Sequence, residues 1–320
     1  MTQQAANRIL LGITGWDPEG WRREFARLTP ARPIVLEPSR SGDDSIRYAV
    51  VWKQRPSSLA NLPNLEVIFS LGAGVDHIFH DPDLPDVPIV RVVSEDLTGR
   101  MSEYVVWQVL DHHRLGPRYR SQQKQHIWHE DRRQPAAHEI EVGILGLGVL
   151  GQDAAAKLKT LGFKVSGWSR RPHAIEGIET FNGKDGLKDF LSKPDILVCL
   201  LPLTPETKGI LSLNLFLQMK KEGPLGAPIL INAGRGLLQN EADILAALDR
   251  GVLSAASLDV FNQEPLPTES PFWEHPKVTI TPHAAASSSM SAIVPEIVAQ
   301  MGAYERGEPL KNLVDRNLQY

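Results

Sequence analysis

At 320 residues the chain is long for a single domain and sufficient for two, each with its own core. A hydrophobic share of 42% and a charged share of 22% are those of a folded globular protein and set extended disorder aside. A net charge of −4 offers no basic footprint for nucleic acid, and no apolar run approaches the ~18 residues that would suggest a membrane span.

The first apolar run, Ile9–Ile13, lacks a basic region with a long apolar stretch and a cleavage site, so it reads as a strand and not as a signal peptide. Further strands are expected at Tyr48–Trp52, Val67–Phe69 and Ile89–Val93. Met101–His113 has the pattern of a long helix leading out of this series. Gly116–His138 is polar and rich in Arg, Gln and His. A second, stronger series of strands follows at Glu141–Leu145, Lys164–Trp168, Asp195–Leu200, Ile229–Asn232, Ala255–Val260 and Val278–Ile280. Helical patterns at Asp153–Leu161 and Glu241–Asp249 lie between them, and Ile293–Arg306 has the length and spacing of a terminal helix. Short β-branched runs alternating with helices imply βαβ units around parallel sheets. The expected fold is α/β, with two Rossmann-like/flavodoxin-like domains. Residues 1–102 and 290–320 form one, interrupted by a second at 103–289, and the cleft between two such domains is a usual ligand site. The single cysteine, Cys199, lies inside an apolar run and reads as a small buried hydrophobe rather than a nucleophile. A lone cysteine forms no intramolecular disulfide and suits a reducing cytoplasm.

The strand Glu141–Leu145 runs into Gly146-Leu-Gly148-Val149-Leu150-Gly151, and a helix follows with Gly162 as its stop. G-x-G-x-x-G alone is a weak signal, but between a strand and a helix it is a strong one for a dinucleotide. Gly146 allows the tight turn, Gly148 lets the backbone approach a pyrophosphate, and Gly151 allows close helix–strand packing. The pyrophosphate then sits on the unpaired N–H groups of the helix. The next strand ends in Ser169-Arg170-Arg171, where an NAD-specific site usually carries an acid on the ribose hydroxyls. An acid would repel a 2′-phosphate, whereas arginines can bind it in a charge-assisted fork. NADPH is therefore the expected cofactor, with NADH weaker; the plainer alternative is a solvated loop with incidental arginines.

Three further strands end in polar residues: Ile229–Asn232 before Arg235, Ser257–Phe261 before Glu264, and Val278–Ile280 before His283. In open α/β sheets ligands bind beyond the carboxyl ends of the strands, so Arg235, Asp259, Glu264 and His283 should converge. Their chemistry suits reduction of a small 2-oxo acid. Arg235 offers a fork to the carboxylate beside the reacting carbon. His283 can donate a proton to the carbonyl oxygen as hydride arrives, and Glu264 would orient the ring and favour the imidazolium.

Nearly the whole chain resembles the D-isomer-specific 2-hydroxyacid dehydrogenases, most closely their glyoxylate/hydroxypyruvate reductase branch. The residues that carry the resemblance are Leu71–His77, Gly143–Gly151, Leu201–Thr207, Ile231–Gly236, Leu258–Pro267, Ser270–Pro276 and Thr281–Ala285. The resemblance implies a substrate-binding (catalytic) domain at 1–102 and 290–320 and a dinucleotide-binding domain at 103–289, with the active site in the interdomain cleft. It makes His283 the acid/base, Glu264 its partner and Arg235 the substrate-polarising cation. It places Leu201, Pro202, Thr207 and Ala233 with the glycine turn and Ser169–Arg171 on the cofactor, and Asp259 near the nicotinamide carboxamide. In the Gly72–Val75 turn, Ala73 and Gly74 are expected to meet the substrate carboxylate, and Trp52 to line its pocket. The expected reaction is NADPH-dependent reduction of glyoxylate to glycolate or of hydroxypyruvate to D-glycerate.

Lys53 and Arg55, just after Trp52, could favour a second carboxylate, which leaves a bulkier or dicarboxylic 2-oxo acid as an alternative. Ser287-Ser288-Ser289 departs from the family pattern. An NAD(P)-sensing binding protein with little turnover is a reading of another class, although a sensor need not keep Arg235, Glu264 and His283. His112, His113, His126, His129 and His138 lack a matched carboxylate set, so no metal is expected and they read as solvated or interface residues. The polar arm Gly116–His138 resembles a dimer-forming segment, and a homodimer is expected.

Overall fold

The computed structural model describes residues 7–36, 42–287 and 289–320. The chain divides into two compact units, one drawn from Met1–Leu97 and Ser288–Tyr320, the other from Thr98–Ser287. In chain order the first unit carries β1 (Arg8–Ile13), α1 (Pro18–Leu28), β2 (Ile34–Val35), β3 (Ile46–Trp52), β4 (Val67–Ser70), α2 (Asp76–Phe79) and β5 (Ile89–Val90). Helix α3 (Glu95–His113) spans the division, a few residues before the expected 102/103 boundary. The second unit continues with α4 (Gly116–Lys124), β6 (Glu141–Leu145), α5 (Val149–Thr160), β7 (Lys164–Ser169), β8 (Glu179–Asn182) and α6 (Gly183–Leu191). It ends with β9 (Ile196–Cys199), α7 (Leu213–Phe216), β10 (Ile229–Asn232), α8 (Glu241–Asp249), β11 (Ala255–Leu258) and β12 (Val278–Ile280). The terminal helix α9 (Met290–Glu305) belongs to the first unit.

The first unit is built on a five-stranded parallel sheet in the order β2-β1-β3-β4-β5. Leu10, Ile46, Ala49, Val51, Ile68 and Ile89 supply the core on one of its faces. Helix α1 starts where Asp17 accepts the Glu19 N–H and Pro18 takes the first position, and Trp21 and Phe25, one turn apart, bury its inner face. It packs on α9. Glu305, at the end of α9, pairs with Arg32 and Arg47 and accepts from the Tyr48 hydroxyl, which ties the terminal helix to β3.

The second unit holds a seven-stranded parallel sheet in the order β12-β11-β10-β9-β6-β7-β8. The chain winds outward from β6 through β7 to β8, then crosses to β9 and winds the other way. The turn after β6 thus stands at the point where strand order reverses, the usual place for a nucleotide. Strands β9 and β10 are buried throughout, as a parallel sheet covered on both faces requires. Cys199 in β9 is fully buried, and burial pushes its thiol up to about 12, which suits a packing residue.

Several elements lie outside the sequence expectations. The polar segment Gly116–His138 contains helix α4, and α3 begins at Glu95, before the expected Met101, with Glu95 and Asp96 in its first turn where the helix dipole favours acids. Among the described residues no helix is long and apolar enough to cross a membrane.

Candidate active site

The three glycines of the turn stand in three different settings. Gly146 has φ +115°, a conformation side chains rarely adopt. A Cβ at Gly151 would stand 1.9 Å from the Gly146 carbonyl oxygen, so helix α5 packs directly on the turn. A Cβ at Gly148 would meet nothing within 4 Å, which leaves open space over the backbone at the N-terminus of α5. These features fit a dinucleotide pyrophosphate, with Val149 and Leu150 opening the helix. Thr207 closes the neighbouring 201–207 turn, its hydroxyl donating to the Pro202 carbonyl at 2.7 Å. Leu201 and Ala233 are buried beside their strand ends.

At the end of β7 the side chains of Arg170 and Arg171 are exposed. Ser169 is buried, and its hydroxyl donates to the Arg171 carbonyl at 2.7 Å. The Ser169 donor thus shapes the turn that presents the arginines.

His283 and Glu264 come together. His283 Nδ1 lies 2.8 Å from Glu264 Oε2, while Glu264 Oε1 accepts the Phe261 N–H at 3.2 Å. About a third of the His283 side chain stays exposed, so Nε2 is the nitrogen left to face a substrate. The His283 backbone has φ +52°, uncommon for a side-chain-bearing residue. Asp259 explains how that conformation is held. Its carbonyl accepts the His283 N–H at 2.8 Å, its Oδ1 accepts Thr281 Oγ1 at 2.6 Å and the Ala284 N–H at 2.9 Å, and its Oδ2 accepts the Ala285 N–H at 3.0 Å. Asp259 is buried, and its carboxylate grips the loop carrying His283. Tyr104 of α3 extends the same network, its hydroxyl 2.8 Å from Thr281 Oγ1; burial raises its phenol well above the usual range. Arg235 is half-buried after β10, with Nη1 donating to the Gly234 carbonyl at 2.8 Å.

In the first unit Trp52 ends β3 half-buried. It stacks on Trp16 with ring centroids 4.6 Å apart and planes at 12°. A Cβ at Gly72 would come within 2.4 Å of the Trp52 ring, so only glycine lets the 72–75 turn lie against it. Ala73 and Gly74 remain partly exposed on that turn. Lys53 Nζ stands 6.0 Å from the Trp52 ring centre, and Arg55 is exposed.

Two of the five remaining histidines depart from the solvated reading. His112 and His113 are buried at the end of α3, and His112 Nε2 lies 2.8 Å from Ser257 Oγ. Burial pushes the His112 imidazole down to about 4 and lowers that of His113. His126, His129 and His138 are exposed. Among the described residues no group of three or more His, Cys, Asp or Glu could hold a metal. Sequence reasoning missed Asn232, Gln239, Glu241, Tyr104 and Thr281 as supports of the site. The available signal was Asn232, a polar residue closing the otherwise apolar run Ile229–Ile231.

The family model for the NAD binding domain of D-isomer specific 2-hydroxyacid dehydrogenases matches residues 106–285. Glyoxylate/hydroxypyruvate reductase A of Yersinia enterocolitica is 42% identical over 275 residues, covering 84% of this chain and 86% of its own. An NADPH-dependent glyoxylate/hydroxypyruvate reductase from Sinorhizobium meliloti, crystallised with NADP and sulfate, superposes with a TM-score of 0.92 at 47% identity, covering 98% of this chain and all of the other. A probable 2-hydroxyacid dehydrogenase from Rhizobium etli, in complex with NADP, HEPES and L(+)-tartaric acid, gives 0.91 at 46% identity over 98% of this chain and 100% of the other. The chain belongs to the D-isomer specific 2-hydroxyacid dehydrogenase family.

Proposed function

We propose that this protein is an NADPH-dependent reductase of small 2-oxo acids, converting glyoxylate to glycolate and hydroxypyruvate to D-glycerate. The observation that carries the reading is the His283–Glu264 pair, 2.8 Å apart on two strand-end loops of a unit that also carries the dinucleotide turn and Arg235. NADPH supplies the hydride when bound on the Gly146–Gly151 turn, with Arg170 and Arg171 on its 2′-phosphate. Arg235 binds the substrate carboxylate and polarises the adjacent carbonyl. His283 Nε2 gives its proton to the carbonyl oxygen as charge develops there, and Glu264 holds the ring. Trp52, Ala73 and Gly74 contribute substrate contacts, the turn offering backbone N–H groups to the carboxylate. Leu201, Pro202, Thr207 and Ala233 complete the cofactor contacts. We assign the substrate-binding role to the unit holding both termini, and place the enzyme in the cytoplasm, where its lone cysteine stays reduced.

A homodimer is part of the same proposal. Trp107 on α3 is half exposed, Ile127 similarly so, and Trp128 is fully exposed. Exposed large apolar side chains clustered on one element and its following arm mark an interaction surface. Sedimentation as a monomer would refute it.

A second reading, reduction of a dicarboxylic 2-oxo acid, has support in Lys53 and Arg55 beside Trp52, and in the tartaric acid bound by the Rhizobium etli relative. A panel of glyoxylate, hydroxypyruvate, 2-oxoglutarate and oxaloacetate with NADPH and with NADH separates the readings. NADPH should be preferred by roughly 10²-fold in kcat/KM, and an Arg170→Ala, Arg171→Ala double variant should lose most of that preference. Failure of every 2-oxo acid to oxidise NADPH would leave a nucleotide-sensing protein as the better account.

A further inference from the structure

Arg235 and the Glu264–His283 pair stand on separate loops of the second unit, and a buried chain of amides joins those loops. Strands β10 and β11 pair last at Asn232 and Leu258, so the ladder between them ends before either loop begins. Asn232 and Gln239 are both buried just beyond that point. Asn232 Oδ1 accepts the Gly234 N–H at 3.1 Å, and its Nδ2 donates to Gln239 Oε1 at 2.8 Å and to the Arg235 carbonyl at 3.3 Å. Gln239 Nε2 then donates to the Val260 carbonyl at 3.0 Å. A backbone donor at one end and a backbone acceptor at the other fix both amides, since turning either round sets like groups face to face. The next residue, Phe261, gives its N–H to Glu264 Oε1, and Glu264 Oε2 meets His283. Glu241 braces the same segment, accepting the Asn262 N–H at 2.8 Å and standing 3.5 Å from Gln239 Nε2.

We infer that Gln239 is a positioning residue that sets the spacing between Arg235 and the Glu264–His283 pair, an inference that rests on reading those three as the reductase site. Apolar packing at position 239 would fill the volume without direction. Two hydrogen bonds at fixed angles register one loop against the other, and a displacement of about 1 Å in a catalytic group can cost on the order of 10²-fold in rate.

The first measurement is NADPH oxidation by the parent with glyoxylate, which tests the proposed function by itself. Given that activity, Gln239→Leu keeps the volume and removes donor and acceptor. Its kcat/KM for glyoxylate should fall at least about tenfold, shared between kcat and KM for glyoxylate, while KM for NADPH stays within about twofold. Gln239→Glu makes the loss reversible. Ionised, the new carboxylate cannot donate to Val260, and it faces that carbonyl with Glu241 close by and Glu264 on the adjoining loop. Protonated, its O–H restores the missing donor. Burial and the neighbouring carboxylates favour the protonated form, so activity relative to the parent should recover at least about threefold between roughly pH 8 and pH 6. Parental kcat/KM in Gln239→Leu overturns the inference, as does a loss that appears equally in KM for NADPH. If Gln239→Leu does not fold, a pH-independent ratio of Gln239→Glu to parent overturns it.

Discussion

His283 and His112 belong to the same unit, and each holds one ring nitrogen 2.8 Å from a side-chain oxygen. They nevertheless serve opposite ends. His112 sits in α3, almost without exposure, against the neutral hydroxyl of Ser257, so protonation would place a charge in the core; burial outweighs the attraction of Asp111 and pushes its imidazole down to about 4. His283 faces a carboxylate, keeps a third of its side chain exposed, and stands on a left-handed backbone gripped by Asp259. Hydrogen-bond length does not separate the structural histidine from the one proposed as proton donor. The charge of the partner, access to solvent and backbone strain do.

The strongest way to break this comparison is to truncate both rings. His283→Ala should lower kcat for glyoxylate by on the order of 10²–10⁴-fold, the usual worth of a general acid, with little change in KM for NADPH or in stability. His112→Ala should do the reverse, destabilising the fold by about 2–3 kcal/mol through the cavity and the orphaned Ser257 hydroxyl, while kcat of the folded fraction stays near parental. Steady-state kinetics and urea unfolding on both variants decide it. A His112→Ala enzyme that stays folded but loses kcat would erase the distinction.

Changing the partner instead of the ring gives a smaller effect. Glu264→Gln keeps an acceptor at hydrogen-bond distance and removes the charge. The carboxylate 2.8 Å from Nδ1 holds the ring in one orientation, and a neutral amide in its place holds it less firmly. Near neutral pH kcat should fall roughly tenfold, less than for His283→Ala because the proton donor remains. Steady-state kinetics on the variant check it, and a parental kcat would show that the charge on Glu264 plays no part.

The sequence revealed some parts of this site and hid others for physical reasons. The glycine turn was legible because Gly146 and Gly151 answer backbone demands that no other residue meets, and strand, turn and helix follow within a few residues. Arg235, Glu264 and His283 were legible as polar residues just past apolar strands. The hold of Asp259 on the His283 loop was hidden, since its partners at 281, 284 and 285 are joined to it only by the packing of two strands. Gln239 was invisible for the same reason: Val260, whose carbonyl its amide meets, is joined to it only by packing. Helix α1 was missed although Asp17, Pro18, Trp21 and Phe25 spell a capped amphipathic helix. Helix α4 was hidden in earnest, because it buries no residue and presents no apolar period.

A further effect is confined to acid stability, and it sharpens the comparison from the His112 side. The unfolded chain binds a proton on this histidine near its ordinary value of about 6.5, whereas the folded protein holds it off until about 4. Between those limits the unfolded state carries the extra proton, so stability falls as pH falls, by up to about 1.4 kcal/mol per pH unit from this one group and by about 3 kcal/mol at most in total. Above roughly pH 6.5 the contribution is fully present. His112→Gln keeps an amide within reach of Ser257 and removes the titration. Its unfolding free energy should therefore lie below the parent's near pH 7, and the gap should close as pH is lowered toward 4. His113, whose imidazole burial also lowers, remains in both proteins and cancels in the difference. Urea melts of parent and variant at several pH values supply the measurement. Parallel curves across that window would mean that His112 is protonated in the folded state and that burial does not govern it.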